Sequence, residues 1–365
     1  MERATARILG LDGLRAIAVL MVFGEHRLDL GHLMLGAVGV YLFFVLSGFL
    51  IIGILTRERN NVASGLSTAK QAWIRFTVRR ALRIMPIYYL AIGLVVMLNA
   101  TLVKSIVFPG ELPWLLTFTM NIWVAFVSHH WTAALSHFWS LGVEEQFYCL
   151  TAPILILGLL TTRRLCLAFL SLSIISFVVL SAAGFSVVTL LTEPLSNFGL
   201  FAFGGLLHTL NPQKVVRCIP NGLSEALLAL LLIMPWLAGA LFTGITGLIA
   251  VWLAGILMAL LILSICARQE ALAVRLLEWT PIAALGRISY GVYVYHYILS
   301  AELVRGISGG LIDVTGSHKL LSAAVLLTIT IIVARVSWSL VEEPLLALKE
   351  NLSPELRQRP HEPTP

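Results

Sequence analysis

Arg15 and His26 sit eleven positions apart inside a largely apolar run, Leu11 to Leu30. An ionisable side chain within a membrane span costs at least ~2.5–3.5 kcal/mol on insertion scales, so each needs a purpose. Eleven residues make almost three helical turns, which turns both side chains to nearly one face, roughly 16 Å apart along the axis. A guanidinium binds anions, and an imidazole moves protons near neutral pH. A snorkelling arginine with an interfacial histidine is the reading without chemistry. Glu25 lies about 100° further round the helix and is a secondary candidate.

Further along, Glu144 and Glu145 open another apolar run after His137-Phe138-Trp139-Ser140. Adjacent acids on a helix cannot face one partner. One of them can hold the His26 imidazole as an acid–base pair while the other satisfies polar backbone, or both can act as interfacial caps. The run from Arg287 to Tyr297 carries Ser289, Tyr290, Tyr293, His296 and Tyr297. Tyr290, Tyr293 and Tyr297 share a helical face and suit either a polar cavity or hydrogen-bonded helix packing. Arg79, Arg80 and Arg83 stand just before Pro86. Arg79 and Arg83, four apart, share one face, and arginine forks suit phosphates. Anchoring by positive charge explains the charges but not the spacing. Glu342 and Glu343 are expected to pair with arginines at the inner end of the last span.

These residues are positioned by membrane helices. Of 365 residues, 58% are hydrophobic and only 12% charged, against about 25% charged in a soluble domain. Apolar runs place about ten spans, near 11–30, 36–56, 86–106, 138–160, 165–184, 190–210, 222–241, 246–267, 285–304 and 319–343. The stretch 108–136, with Trp114, Trp123 and Trp131 among polar residues, reads as interfacial or re-entrant. Basic residues fall on alternate sides. One side holds Arg3, Arg7, Arg57, Arg59, Lys70, Arg75, Arg79, Arg80, Arg83, Arg163, Arg164, Lys214, Arg217, Arg268, Arg275, Lys349, Arg357 and Arg359. The other holds Lys104, Arg305 and Lys319. The positive-inside rule then puts both termini in the cytoplasm. The expected fold is an all-α bundle, with a membrane domain at 1–348 and a short cytoplasmic tail at 349–365. His26, Glu144 and Glu145 then share the outer half of the bilayer, and Arg15 lies near the inner face.

The net charge of +6 follows from the same topology and does not call for a nucleic acid. Cys149, Cys166, Cys218 and Cys266 are scattered, without a CxxC pair, and read as small apolar residues. His129, His130 and His137 lack a carboxylate or a fixed helical spacing, so no metal site is assigned. The first apolar run contains Arg15, Glu25 and His26 and is no cleavable signal. Gly36, Gly39, Gly204 and Gly205 suit close helix packing.

Taken together, the motifs resemble the membrane acyltransferase-3 family, whose members O-acylate sugars, polysaccharides and some macrolides. They are Leu11-Asp12-Gly13-Leu14-Arg15 with His26, Gly39 to Ile51 around Ser47-Gly48, and Arg79-x-x-x-Arg83-Ile84-x-Pro86. Then come His137 to Tyr148, Ser289-Tyr290 to His296, and Val341-Glu342-Glu343-Pro344. They follow the family's order along nearly the whole chain. The resemblance implies that Arg15 and His26 are the family's essential pair on the first helix. It also implies that Arg79 and Arg83, with Arg80 and Arg15, hold acyl-coenzyme A, with acetyl-coenzyme A the default donor and no permanently bound cofactor. Ser47, Tyr290 and His296 take supporting roles. Many relatives continue into an SGNH hydrolase-like domain, and the short tail here favours direct transfer within the membrane core. The expected activity is transfer of an acyl group to a hydroxyl of a polysaccharide or lipid-linked sugar at the plasma membrane. His26, oriented by Glu144 or Glu145, would act as general base, with an acyl-histidine as the less favoured variant. A macrolide or other small acceptor is a variant of this reading. A glycan transporter would use the same intramembrane polar residues but shows no internal repeat.

Overall fold

The computed structural model describes residues 7–30, 33–101, 109–131, 135–210, 218–238, 244–312, 314–315 and 318–351. Among these, regular structure is helical throughout. Arg3, Lys104, Lys214, Arg217, Arg357, Arg359 and the expected tail beyond Asn351 lie outside the described residues. Five helices are long and apolar enough to cross a membrane, at 35–63, 69–100, 162–182, 246–267 and 319–347. The chain is a membrane protein. A bilayer leaves no solvent for free backbone groups, and helices satisfy them internally.

The first helices are α1 (Leu11–Leu28), α2 (Leu35–Ala63) and α3 (Ala69–Thr101). The stretch 86–106, expected as the third span, is the second half of a longer helix: α3 starts at Ala69 and carries the arginines on its first half. Pro86 sits inside it, where the ring removes one intrahelical bond without ending the helix. α2 and α3 are tied by Arg75, whose Nε and Nη2 donate to Glu58 at 3.2 and 2.6 Å. The stretch 108–136 forms only short turns where described, among them α4 (Leu112–Leu116) and α5 (Met120–Ile122). The Trp114 and Trp123 rings meet there with centroids 5.7 Å apart.

Next come α6 (Trp139–Ile156), α7 (Thr162–Ala182), α8 (Val187–Thr192) and α9 (Pro194–Leu206). The stretch 190–210, expected as one span, is divided because Pro194 cannot continue a helix from its N-terminal side. The Glu193 carboxylate accepts from the backbone N–H of Leu195 and Ser196 at 2.8 and 2.5 Å, which starts α9 afresh. α10 (Leu223–Ala238) and α11 (Gly244–Ala267) follow as apolar helices. The stretch 285–304 departs most from expectation. It is broken into α13 (Thr280–Arg287), α14 (Ser289–Tyr295) and α15 (Ala301–Ile307), after the short α12 (Leu272–Leu277). The chain closes with α16 (Lys319–Ser337), a π turn at Trp338–Glu342, and α17 (Glu343–Asn351).

α2 lies at the centre. Two-thirds of its apolar window (67%) is buried inside the protein, whereas α7 and α16 keep 28% buried and turn most apolar side chains outward. The crossings at α2 are close because glycines form them. A Cβ at Gly48 would lie 2.0 Å from the Phe201 carbonyl oxygen, and one at Gly204 would lie 2.0 Å from that of Val45. Small residues let membrane helices approach until backbone touches backbone. Gly39 against Ala18, and Gly286 against Asp12, do the same for α1.

Candidate active site

One cavity of about 730 Å³ gathers most of the residues picked out by chemistry. Arg15 of α1, Ser47 of α2, Arg80 and Arg83 of α3, Glu144 and Tyr148 of α6, and Tyr290 and Tyr293 of α14 line it. They come from five different helices, so the cavity exists only when α1, α2, α3, α6 and α14 are assembled. Arg15 donates to Asp12 at 3.0 Å. Arg80 and Arg83 have no hydrogen-bond or ion-pair partner among the described residues. Two half-buried guanidinium groups without protein acceptors, facing one cavity, make a site for an anion such as phosphate.

Arg79 is different. It is exposed and does not line the cavity. The spacing of four marked Arg79 and Arg83 as face-mates, but residues three apart share a face as well, and Arg80 with Arg83 is the pair that turns inward. Glu144 contributes the negative wall. Its carboxylate accepts from the Tyr148 hydroxyl at 2.8 Å and the Ser47 hydroxyl at 3.4 Å. Tyr148 follows Glu144 by four residues, a legible signal that sequence reasoning passed over. Tyr290 donates through its hydroxyl to the Ile84 carbonyl at 2.7 Å, joining α14 to the arginine helix.

His26 stands apart from this carboxylate. Its Nδ1 pairs with Nε2 of His296 at 2.8 Å, and the two rings lie 12° from parallel. The expectation that Glu144 or Glu145 orients His26 is therefore corrected: the hydrogen-bonded partner is His296. The reason is the break in the ninth apolar run. α14 ends at Tyr295, and the turn that follows swings His296 and Tyr297 toward the end of α1, where Tyr297 meets His26 edge-on with centroids 5.0 Å apart. Tyr297 thus leaves the face shared by Tyr290 and Tyr293. Glu145, one residue round α6 from Glu144, does not line the cavity, and its Oε1 is buried without a hydrogen-bond partner.

The C-terminal end of α1 works as three consecutive tethers. Glu25 accepts from the Gly36 N–H at 2.7 Å and holds the start of α2. His26 takes His296. Arg27 donates from Nη2 to the carbonyls of His296, Tyr297 and Leu299, the last at 3.1 Å. Those carbonyls are the ones the broken helix leaves without intrahelical donors. His137, only a weak metal candidate in the sequence, packs into the same cluster with its ring centroid 5.0 Å from that of His296. Ser140 and Tyr293 join by their hydroxyls at 2.6 Å, and both border the arginine cavity. Tyr293 therefore touches both centres: its ring borders the cavity and its carbonyl bonds His296 Nδ1 at 2.5 Å. Glu342 and Glu343 make no hydrogen bond or close ion pair with an arginine among the described residues, but Arg83 lies near enough to act electrostatically on Glu342. Glu342 is buried, with Oε1 unpartnered, because the π turn directs it inward.

Comparison with known proteins gives a consistent match. Residues 8–341 match a family described as an acyltransferase domain. Over 93% of its length the chain is 29% identical to YrhL of Bacillus subtilis (strain 168), provisionally named a peptidoglycan O-acetyltransferase. Over 92% it is 27% identical to the peptidoglycan O-acetyltransferase OatA of Listeria monocytogenes (strain EGD-e). A provisionally named O-acetyltransferase of Staphylococcus aureus (strain COL) is 32% identical over 43% of the chain and 26% of its own length. The chain spans 55% of the length of YrhL and of OatA. No solved structure matches it.

Proposed function

Because this chain belongs to the membrane acyltransferase-3 family, we propose that it moves an acyl group from acyl-coenzyme A to a carbohydrate hydroxyl. The observation that carries this reading is the cavity in which Arg15, Arg80 and Arg83 converge, with no hydrogen-bond or close ion-pair partner for Arg80 or Arg83 among the described residues. The donor's phosphates would sit against those guanidiniums. Its thioester arm would then run along α1 toward His26, a distance of roughly 16 Å by helix rise. His26 accepts the proton of the acceptor hydroxyl as that oxygen attacks the thioester carbonyl. A C–O bond forms, the C–S bond breaks, and coenzyme A leaves as the thiol after protonation. Acetyl is the first donor to try. The names of YrhL and OatA make peptidoglycan, or its lipid-linked precursor, the first acceptor. The broken α14 beside the cavity is also what a transporter would use, and the same experiment separates the two. Purified protein in detergent is given labelled acetyl-coenzyme A and soluble peptidoglycan fragments. Label in the glycan supports the enzyme, and its absence with every acyl donor and glycan tried would sink this assignment.

Donor binding by the inward arginines makes a sharper prediction. Arg80→Ala and Arg83→Ala each raise the KM for acetyl-coenzyme A, whereas Arg79→Ala leaves it near the wild-type value. Lysine at 80 or 83 restores the charge but only part of the affinity, because the planar fork is lost. An Arg79 effect as large as that of Arg83 would place the phosphates elsewhere.

We further propose ten membrane spans, both termini cytoplasmic in the plasma membrane, a membrane domain over 1–348 and a cytoplasmic tail from 349. The support is the distribution of Lys and Arg in the sequence. In a background without natural cysteines, Leu66→Cys offers a reporter on the loop between α2 and α3, where Leu66 is 67% exposed. An impermeant maleimide should label it in inverted vesicles and not in intact cells. Labelling of intact cells would reverse the orientation and the donor face with it.

A further inference from the structure

We propose that His296 is a positioning residue that fixes the tautomer of His26, leaving Nε2 of His26 as the free basic nitrogen. This rests on the reading of His26 as general base. The Tyr293 carbonyl is an acceptor only, so His296 Nδ1, 2.5 Å from it, carries a proton. His296 is buried at 1% exposure, and its own backbone carbonyl already takes the Arg27 guanidinium. A second positive charge there would meet a like charge and, among the described residues, no carboxylate, so the ring is neutral with its single proton on Nδ1. Its Nε2 then has a lone pair and can only accept. The 2.8 Å contact to His26 therefore runs from His26 Nδ1–H to His296 Nε2.

The consequence falls on the other side of the His26 ring. With Nδ1 holding the proton, Nε2 keeps its lone pair. That nitrogen has no protein partner among the described residues, and His26 as a whole is exposed. An acceptor hydroxyl can reach it. When Nε2 takes the hydroxyl proton, the imidazolium that forms still donates to His296, so the same contact steadies the charge as it develops. Base, orienting residue and terminal acceptor are the familiar parts of a catalytic triad. Here a second histidine and a backbone carbonyl stand where a carboxylate usually does. The chain ends at a carbonyl that cannot pass a proton on. It is a brace for the ring and not a proton wire.

The break after α14 is what makes the brace possible. A helix continuing through His296 would commit the following carbonyls to its own ladder. Instead Arg27 collects those of His296, Tyr297 and Leu299, and the residue next to the base holds the residue that orients the base.

The test uses the full-length protein in detergent, with labelled acetyl-coenzyme A and soluble peptidoglycan fragments. His296→Leu should lower kcat by about 10- to 100-fold, by analogy with the loss seen when the hydrogen-bond partner of a metal-bound histidine is removed, with the KM for acetyl-coenzyme A unchanged. His296→Gln can place its side-chain oxygen where Nε2 stood and should recover most of the rate. Independently of activity, nitrogen NMR of histidine-labelled wild-type protein should show His26 protonated at Nδ1. Its signal is identified by its loss in His26→Ala, and His296→Leu should shift it toward a tautomer mixture. Wild-type kcat in His296→Leu, an inactive but folded His296→Gln, or a proton on His26 Nε2 would overturn the proposal. Full activity in His26→Ala would instead remove the general-base reading, whatever the NMR shows of the pair.

Discussion

Replacement of His26 by alanine lowers acyl transfer by roughly 10²–10⁴-fold, the usual contribution of a general base, while acetyl-coenzyme A still binds. The two halves of this result come from different places in the protein. On the proposed reading the donor's phosphates would meet Arg15, Arg80 and Arg83, which line the cavity, and His26 is not among the lining residues. Removing the imidazole also leaves α1 intact, because Glu25 and Arg27 hold the same turn to α2 and to the segment after α14. The variant should therefore be extracted in normal amount, with an unchanged donor KM and a reduced kcat. Glu144→Gln gives the contrasting pattern. Its carboxylate faces the cavity and holds Tyr148 and Ser47, so its loss should act first on donor binding. Transfer by His26→Ala at the wild-type rate would make this histidine structural and move the search to Tyr290, Tyr293 and His296.

Gly204→Leu should prevent assembly of the bundle. A Cβ there would lie 2.0 Å from the Val45 carbonyl oxygen and 2.6 Å from the Phe49 nitrogen. Both are helix backbone, which no rotamer change can move aside. The α2 and α9 axes must separate by more than about 1 Å to restore ordinary contact distances, and apolar packing along the whole crossing is lost with them. Overpacking usually costs about 1–3 kcal/mol, and backbone obstruction puts this site at the upper end or beyond. Ser47 rides on the displaced segment, so surviving protein should also show a raised donor KM. Gly93→Leu is the control, since a Cβ at Gly93 meets nothing within 4 Å. Equal yield and thermal midpoint for the two variants would mean that the crossing is loose enough to admit a side chain.

Residue types and hydropathy were enough to locate most of the helices and the inward charges. Arg15, Ser47, Arg80, Arg83, Glu144 and Tyr290 were all legible, and they meet in one cavity. The partner of His26 was not. A carboxylate at equal depth is a good guess when every span is a continuous helix, but equal depth fixes neither direction nor distance. The ninth apolar run hides its break because hydropathy sums over a window and is blind to where hydrogen bonding stops. Pro194 announces the other break, and nothing so plain marks the turn at His296. Arg27 could have served as a signal. A third ionisable residue directly after Glu25 and His26 has no place in a continuous apolar bundle, and it implies unpaired carbonyls nearby.

Three consecutive residues on the first helix, reaching to partners up to 272 positions away, also constrain how the protein is made. The first helix leaves the ribosome long before Tyr293 to Leu299 exist. Until that late segment enters the membrane, His26 has no brace and Arg27 no carbonyls to hold. Contacts this distant in sequence form late. A chain released early would carry every arginine that lines the cavity and still lack the brace on His26. If His26 is the base proposed above, the nascent chain should stay inactive until that late segment is in place.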